Sequence, residues 1–173
     1  PNTAALAALA DAPGVTVAPQ PVDAAAVPAG MTGLRTLFNA FHHFDDDLAL
    51  AVLQDAVDAG QPIAIVELSE RAPQTVIGAA LIPLMVCLVM PMVRPVRLHW
   101  LVLTYLLPIL PLAIAWDGLI SHLRTRSPDE LRALTARLNA PGWSWTAERV
   151  PVQPGAAYTW LLGLPPAGDR PPG

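Results

Sequence analysis

The residues of this chain best suited to chemistry gather between Leu34 and Asp47, in the stretch LRTLFNAFHHFDDD. A strand-like apolar run ends there in an Asn, two adjacent His and three consecutive Asp, directly before a helical pattern. In an α/β sheet, ligands bind at the carboxyl ends of strands, so a reactive site belongs at this seam. Imidazole takes up protons at neutral pH, and His42 or His43 suits a general base acting on a hydroxyl. Neighbouring side chains point in different directions, so only one of the two can face a pocket. Structural hydrogen bonding near a strand end is the plainer alternative for both. His42, His43 and Asp45 to Asp47 also include metal-ligand types, but crowding so many neighbours around one ion strains the backbone. Helix capping accounts better for the three Asp, and no metal is expected. Glu67 and Glu70 close a later strand, as acids lining a substrate or as solvated loop groups.

The elements that must position these groups read as α/β. Asn2 or Thr3 caps a helix through Ala10, which Pro13-Gly14 stops. Val15 to Ala18 is a short β-branched run, and Val22-Asp23 follows two prolines as strand and loop. Gly30 to Gly33 is a turn, and Leu34 to Phe41 is a strand too apolar on both faces to be a solvated edge. The Asp run then starts a helix whose Ala49, Val52, Leu53, Ala56 and Val57 form one buried stripe. Gly60 and Pro62 end it, and Ile63 to Leu68 is a buried strand, completing a parallel βαβ unit. Later, Ser127-Pro128-Asp129-Glu130 is a capping box for a helix that turns Leu131, Leu134 and Leu138 inward. Asn139 to Gly142 ends that helix. Trp143 to Val150 and Tyr158 to Leu164 make a closing hairpin.

Composition narrows the possibilities. Only 14% of residues are charged, net charge is −4, and the 10 basic residues are all Arg. No basic tract is present to neutralise a row of phosphates, which argues against nucleic acid as a partner. Cys87 lies in an apolar run and reads as a buried small hydrophobe in a reducing compartment. No basic stretch leads into an apolar core at the amino end, so no signal-peptide layout is seen. Most unusual is the middle of the chain, where neither Ala72 to Val93 nor Leu98 to Trp116 carries a charge, His99 being neutral. Either run is long enough for a bilayer, yet Pro83, Pro91, Pro95, Pro108 and Pro111 break regular helix. Three readings stand: a spanning hairpin, a hairpin dipping into one leaflet with Arg94 and Arg97 snorkelling, or an apolar lid or dimer face. Membrane association is favoured, because an exposed patch of this size is rarely tolerated in water.

A helix, a strand followed by an acid, FNAFHHF, a capped helix, a strand ending in Glu, and a terminal β-hairpin resemble the later two-thirds of a class I S-adenosyl-L-methionine-dependent methyltransferase. DGLISHLRTRSPDELRALTARL followed by YTWLLGLP is similar to a bacterial subfamily with an apolar insertion before its last helix. The resemblance implies a Rossmann-like methyltransferase sheet, incomplete at the amino end, with an inserted apolar helical hairpin. It divides the chain into a partial core over 1–71, the hairpin over 72–116, a final helix and β-hairpin over 117–164, and a disordered tail over 165–173.

The resemblance also assigns residues. Asp23 stands where the family binds the adenine amino group of S-adenosylmethionine, though a loop Asp also caps its own backbone. Asn39, Ala40 and Phe41 match the segment facing the methionine part, where carbonyls and an aromatic face suit a sulfonium cation. The plainer reading of Phe38 and Phe41 is core packing. His42 or His43 becomes the catalytic base. The family's glycine-rich loop is missing, which implies that this chain begins after the family's second strand and is inactive alone. Methyl transfer to a small-molecule or lipid-like acceptor, on a cytoplasmic, membrane-associated protein with a possible homodimer face, is the expectation. The alternative is a non-catalytic membrane-associated protein with a degenerate or truncated fold of this kind.

Overall fold

The computed structural model describes residues 12–68, 71, 77–153 and 156–168. The expected first helix and Glu70 lie outside the described residues.

Alternation sets the central strand. In β2 (Ile63–Glu67), Ile63, Ile65 and Glu67 are buried on one face, while Ala64 and Val66 are half-buried on the other. β1 (Arg35–Phe38) lies parallel to it, with Arg35 opposite Ile63 and Phe38 opposite Val66. The crossover between them is α1 (Asp46–Asp58). On its other side β2 takes β4 (Ala156–Leu164) antiparallel, and β3 (Ser144–Gln153) pairs antiparallel with β4 at the outer edge. The result is an open, mixed four-stranded sheet in the order β1-β2-β4-β3. Pro151 sits on the edge strand beside a register shift, where a missing ladder donor is tolerated. Gly163 faces Trp145 across the hairpin, and a Cβ built there would fall inside the indole ring's van der Waals envelope.

One face of this sheet is closed by two helices. The N-cap of α1 is Asp45, whose Oδ1 accepts the Leu48 N–H at 2.9 Å, and Ala49, Val52, Leu53 and Ala56 are buried. The expected stripe is therefore the buried face, with Val57 half-buried at its margin. α5 (Pro128–Thr135) carries the anticipated capping box, with Ser127 and Glu130 each accepting the other's backbone N–H. Its Leu131 and Leu134 join Phe41, Ile63, Ile65, Ala147 and Leu161 in one core.

Two expectations give way. β1 is a solvated edge: Thr36 is exposed and Phe38 is 68% exposed. Residues 12–34 form turns and loop, not the anticipated strand, so β1 has no outer neighbour among the described residues. Phe38 is accordingly not a core residue.

The apolar middle is helical and folds back on itself. α2 (Ile82–Val89) packs on α4 (Ile109–Arg124), and at Gly118 a Cβ would come 3.0 Å from Ile82 Cδ1. Between them α3 (Leu98–Leu101) runs into a π-helical turn, Val102–Leu106. The helical axis then bends by 77° before α4, whose N-cap is Pro108. No single helix among the described residues is long and apolar enough to cross a membrane; the bent pair would suffice by length and composition only. α4 passes through Trp116 without interruption and ends at Arg124, so the hairpin and the following core share one helix. Cys87 is half-buried and free, not enclosed.

Candidate functional site

At the end of β1 the chain must leave the sheet abruptly, and Asn39 does this at φ 51°, in the left-handed region that Asn tolerates better than most side chains. Its N–H donates to Val66 O at 2.8 Å and its Oδ1 accepts the Leu68 N–H at 3.1 Å, tying the ends of β1 and β2 together. The turn aims the next two backbone N–H groups at Glu67. Glu67 Oε1 accepts Ala40 N–H at 3.1 Å and Phe41 N–H at 2.7 Å, while Oε2 pairs with His42 Nδ1. Glu67 and His42 are each 4% exposed. A buried carboxylate is costly unless its lone pairs are matched, and here three donors converge on it.

Arg126 stitches the same segment from above. Its guanidinium donates to Phe41 O at 3.3 Å, to Phe44 O at 2.9 Å and to Asp46 Oδ1 at 2.9 Å, and lies 5.2 Å over the Phe41 ring. The hydrogen bond from Arg126, then its charge, holds the Asp46 carboxyl below the usual carboxylate range, with a smaller pull from Arg137. Glu130 is likewise held low. The Ser127 backbone N–H is the main cause, opposed by burial and aided by the charge of Arg71 and by the Ser127 side chain.

Beyond the seam opens a cleft of about 700 Å³, lined among others by His42, His43, Arg71, Arg124, Arg126 and Arg137. His42 forms part of its wall, with Nδ1 already committed to Glu67, so Nε2 is the ring nitrogen that Glu67 does not hold. His43 is exposed, its ring 4.2 Å from that of His42. The two imidazoles thus part ways: one is anchored, the other solvated.

The remaining residues anticipated from the sequence are not brought together. Asp23 Oδ1 accepts the Ala25 N–H at 2.9 Å, the self-capping turn of a loop Asp. It borders a separate loop hollow beside Pro19 and Val22. Asn39 lines neither that hollow nor the arginine cleft, and the Phe41 ring is buried in the core. The side chains of Asp23 and Asn39 are thus spent on nearby backbone. Among the described residues no group of three or more His, Cys, Asp or Glu is placed to hold a metal ion. Sequence reasoning left Glu67 undecided and missed Arg126 as the organiser of the seam. Glu67 carried a signal, its place at a strand end; Arg126 carried none, since its partners lie some eighty residues away.

No family model, curated protein or solved structure matches this chain.

Proposed function

We propose that this chain carries the acceptor-activating part of an S-adenosylmethionine-dependent methyltransferase, with His42 as general base and Glu67 as its positioning residue. One observation carries the reading: a buried Glu67–His42 pair at the carboxyl ends of two adjacent parallel strands, opening onto a cleft. A carboxylate on Nδ1 fixes the tautomer and the ring plane, so that Nε2 takes the proton of an acceptor hydroxyl in the cleft. The proton passes to Nε2 and then to solvent, and the acceptor oxygen is left as the nucleophile. The same strand–FNAFHHF–helix–strand order that carries the resemblance supports the class, as does the hairpin that closes the sheet. The apolar middle would hold this site at a membrane surface, dipping into one leaflet.

Titration of S-adenosylmethionine into this chain and into a form extended at its amino end tests the class. Heat of binding in the extended form is expected. None in either form overturns it. A second reading, a membrane-associated protein without catalysis, is favoured by the divergent placement of Asp23 and Asn39, and the same titration decides between them. Carbonate extraction of membranes reads attachment separately: release into the supernatant counts against a spanning hairpin.

A further inference from the structure

The arginine cleft and the apolar hairpin share a boundary, and we infer that the cleft binds the anionic head of an amphipathic molecule whose tail lies along the hairpin. This deepens the methyltransferase reading by naming the class of acceptor, and rests on that reading only for the acceptor role. Four of the 10 basic residues, Arg71, Arg124, Arg126 and Arg137, converge on this one cleft in a chain of net charge −4. Lining the cleft with them are three carboxylates, those of Asp45, Asp46 and Glu130, while the Glu67 carboxylate is buried behind His42.

Their binding capacity differs. Arg126 is spent on Phe41, Phe44 and Asp46, and Arg71 on Glu130 and Thr125 O. Arg137 has only a loose contact with Asp46, at 3.6 Å, and Arg124 has no hydrogen-bond or ion-pair partner among the described residues. Two exposed guanidinium groups at the cleft therefore retain their fork of donors. That geometry matches the paired oxygens of a phosphate or carboxylate.

The apolar half follows from where Arg124 stands. It is the last residue of α4, and Leu112, Trp116 and Leu123 are exposed on one side of that helix, spaced to fall on a single stripe. Arg71 enters the hairpin from the other side and donates to Thr125 O at 3.0 Å, so both arms of the hairpin leave the core at the cleft. A ligand seated by its anion against Arg124 reaches this stripe about a quarter turn around the helix, starting at the neighbouring Leu123. A free anion would use only the first half of that arrangement.

Calorimetry without S-adenosylmethionine tests this, using inorganic phosphate, dihexanoyl phosphatidate and dihexanoyl phosphatidylcholine below their aggregation limits. Phosphatidate is expected to bind at least tenfold more tightly than either other probe. Its affinity should fall at least tenfold in an Arg124→Ala/Arg137→Ala variant, recover in part with Lys at both positions, and stay unchanged in Arg94→Ala/Arg97→Ala at the hairpin turn. These arginines are solvent-exposed, and circular dichroism confirms that each variant is folded. Equal binding of phosphate and phosphatidate overturns the amphiphile and leaves a soluble anion as ligand. Phosphatidate binding that survives the double Ala variant, or is absent from the parent chain, overturns the cleft itself. Because no methyl donor is present, these outcomes are independent of whether the class assigned above survives its own titration.

Discussion

Around the seam polar groups are buried and matched, whereas along 77–124 apolar groups are exposed and unmatched. Glu67 lies out of water with three donors on its two oxygens, and Arg126 closes two carbonyls and a carboxylate above it. Leu84, Leu88, Met92, Leu98 and Trp116 are each more than half exposed among the described residues. Each region departs from the usual distribution of polarity, in opposite directions. The difference lies in where the compensating partner is. At the seam it is inside the chain, so a lost partner must appear as lost stability. In the hairpin no such partner is found among the described residues, so if a lipid phase or a second copy supplies it, a lost side chain must appear as lost association.

The largest effect is expected at Glu67. Glu67→Ala strands two backbone N–H groups and His42 Nδ1 without an acceptor, and breaking a buried pair in this way costs about 3–5 kcal/mol. Urea unfolding reads it, and a loss below about 1 kcal/mol would mean that water already serves these donors. Glu67→Gln keeps the shape but replaces an acceptor oxygen with an NH2 group, for an expected loss of roughly 1–3 kcal/mol.

Arg126→Ala comes next, at about 2–3 kcal/mol, from charged hydrogen bonds lost to Phe41, Phe44 and Asp46. It also carries a pH signature. Asp46 is held below its ordinary value of 3.8 in the folded chain. Its contribution is thus fully present above that value and disappears as the pH falls through the lowered one. Removing Arg126 removes the main cause, so the acid limb of the stability profile should flatten in the variant. An unchanged acid limb would place the sensitivity elsewhere, Glu130 being the next candidate.

How far the sequence foretold this contrast depends on the range of the signal. Local signals held: the Asp45 cap, the Ser127–Glu130 box, the apolar stripes of α1 and α5 and the closing hairpin all depend on residues within a few positions of each other. The rule that adjacent side chains diverge predicts a single imidazole at the pocket, yet both rings line the cleft, 4.2 Å apart, because the 3-10 turn Phe41–His43 keeps them side by side; only His42 is anchored to Glu67. Signals that need a distant partner were silent. An apolar strand does not say whether a neighbour exists, so Phe38 was placed in a core that β1 does not enclose. The depth of Glu67 depends on the left-handed turn at Asn39, which no periodicity encodes. Loop chemistry was ambiguous in kind, and Asp23 took the local option.

A further substitution tests the core through packing. Gly163→Ala puts a methyl group where the half-buried Trp145 ring lies, and the indole N–H it would displace has no hydrogen bond to lose. Overpacking of this kind costs about 1–3 kcal/mol, and near-UV circular dichroism should report the displaced indole. A silent substitution would mean that the ring moves aside freely and that the hairpin's outer layer is looser than its register suggests.

The smallest effect on folding is expected where the sequence is most apolar. Leu84 and Leu88 are four apart on α2, 58% and 60% exposed, and Gln has nearly the helix propensity of Leu. The pair Leu84→Gln and Leu88→Gln should therefore change unfolding stability by no more than about 0.5 kcal/mol. Association with vesicles is another matter. Burying a leucine in an apolar phase is worth about 1.5–3 kcal/mol, so losing two should weaken partitioning by well over tenfold. Stability and partitioning thus move independently if the hairpin's partner is a lipid phase. If the double variant instead unfolds more easily, in a way that depends on protein concentration, the leucines are covered by a second copy of the chain, and the hairpin is a dimer face.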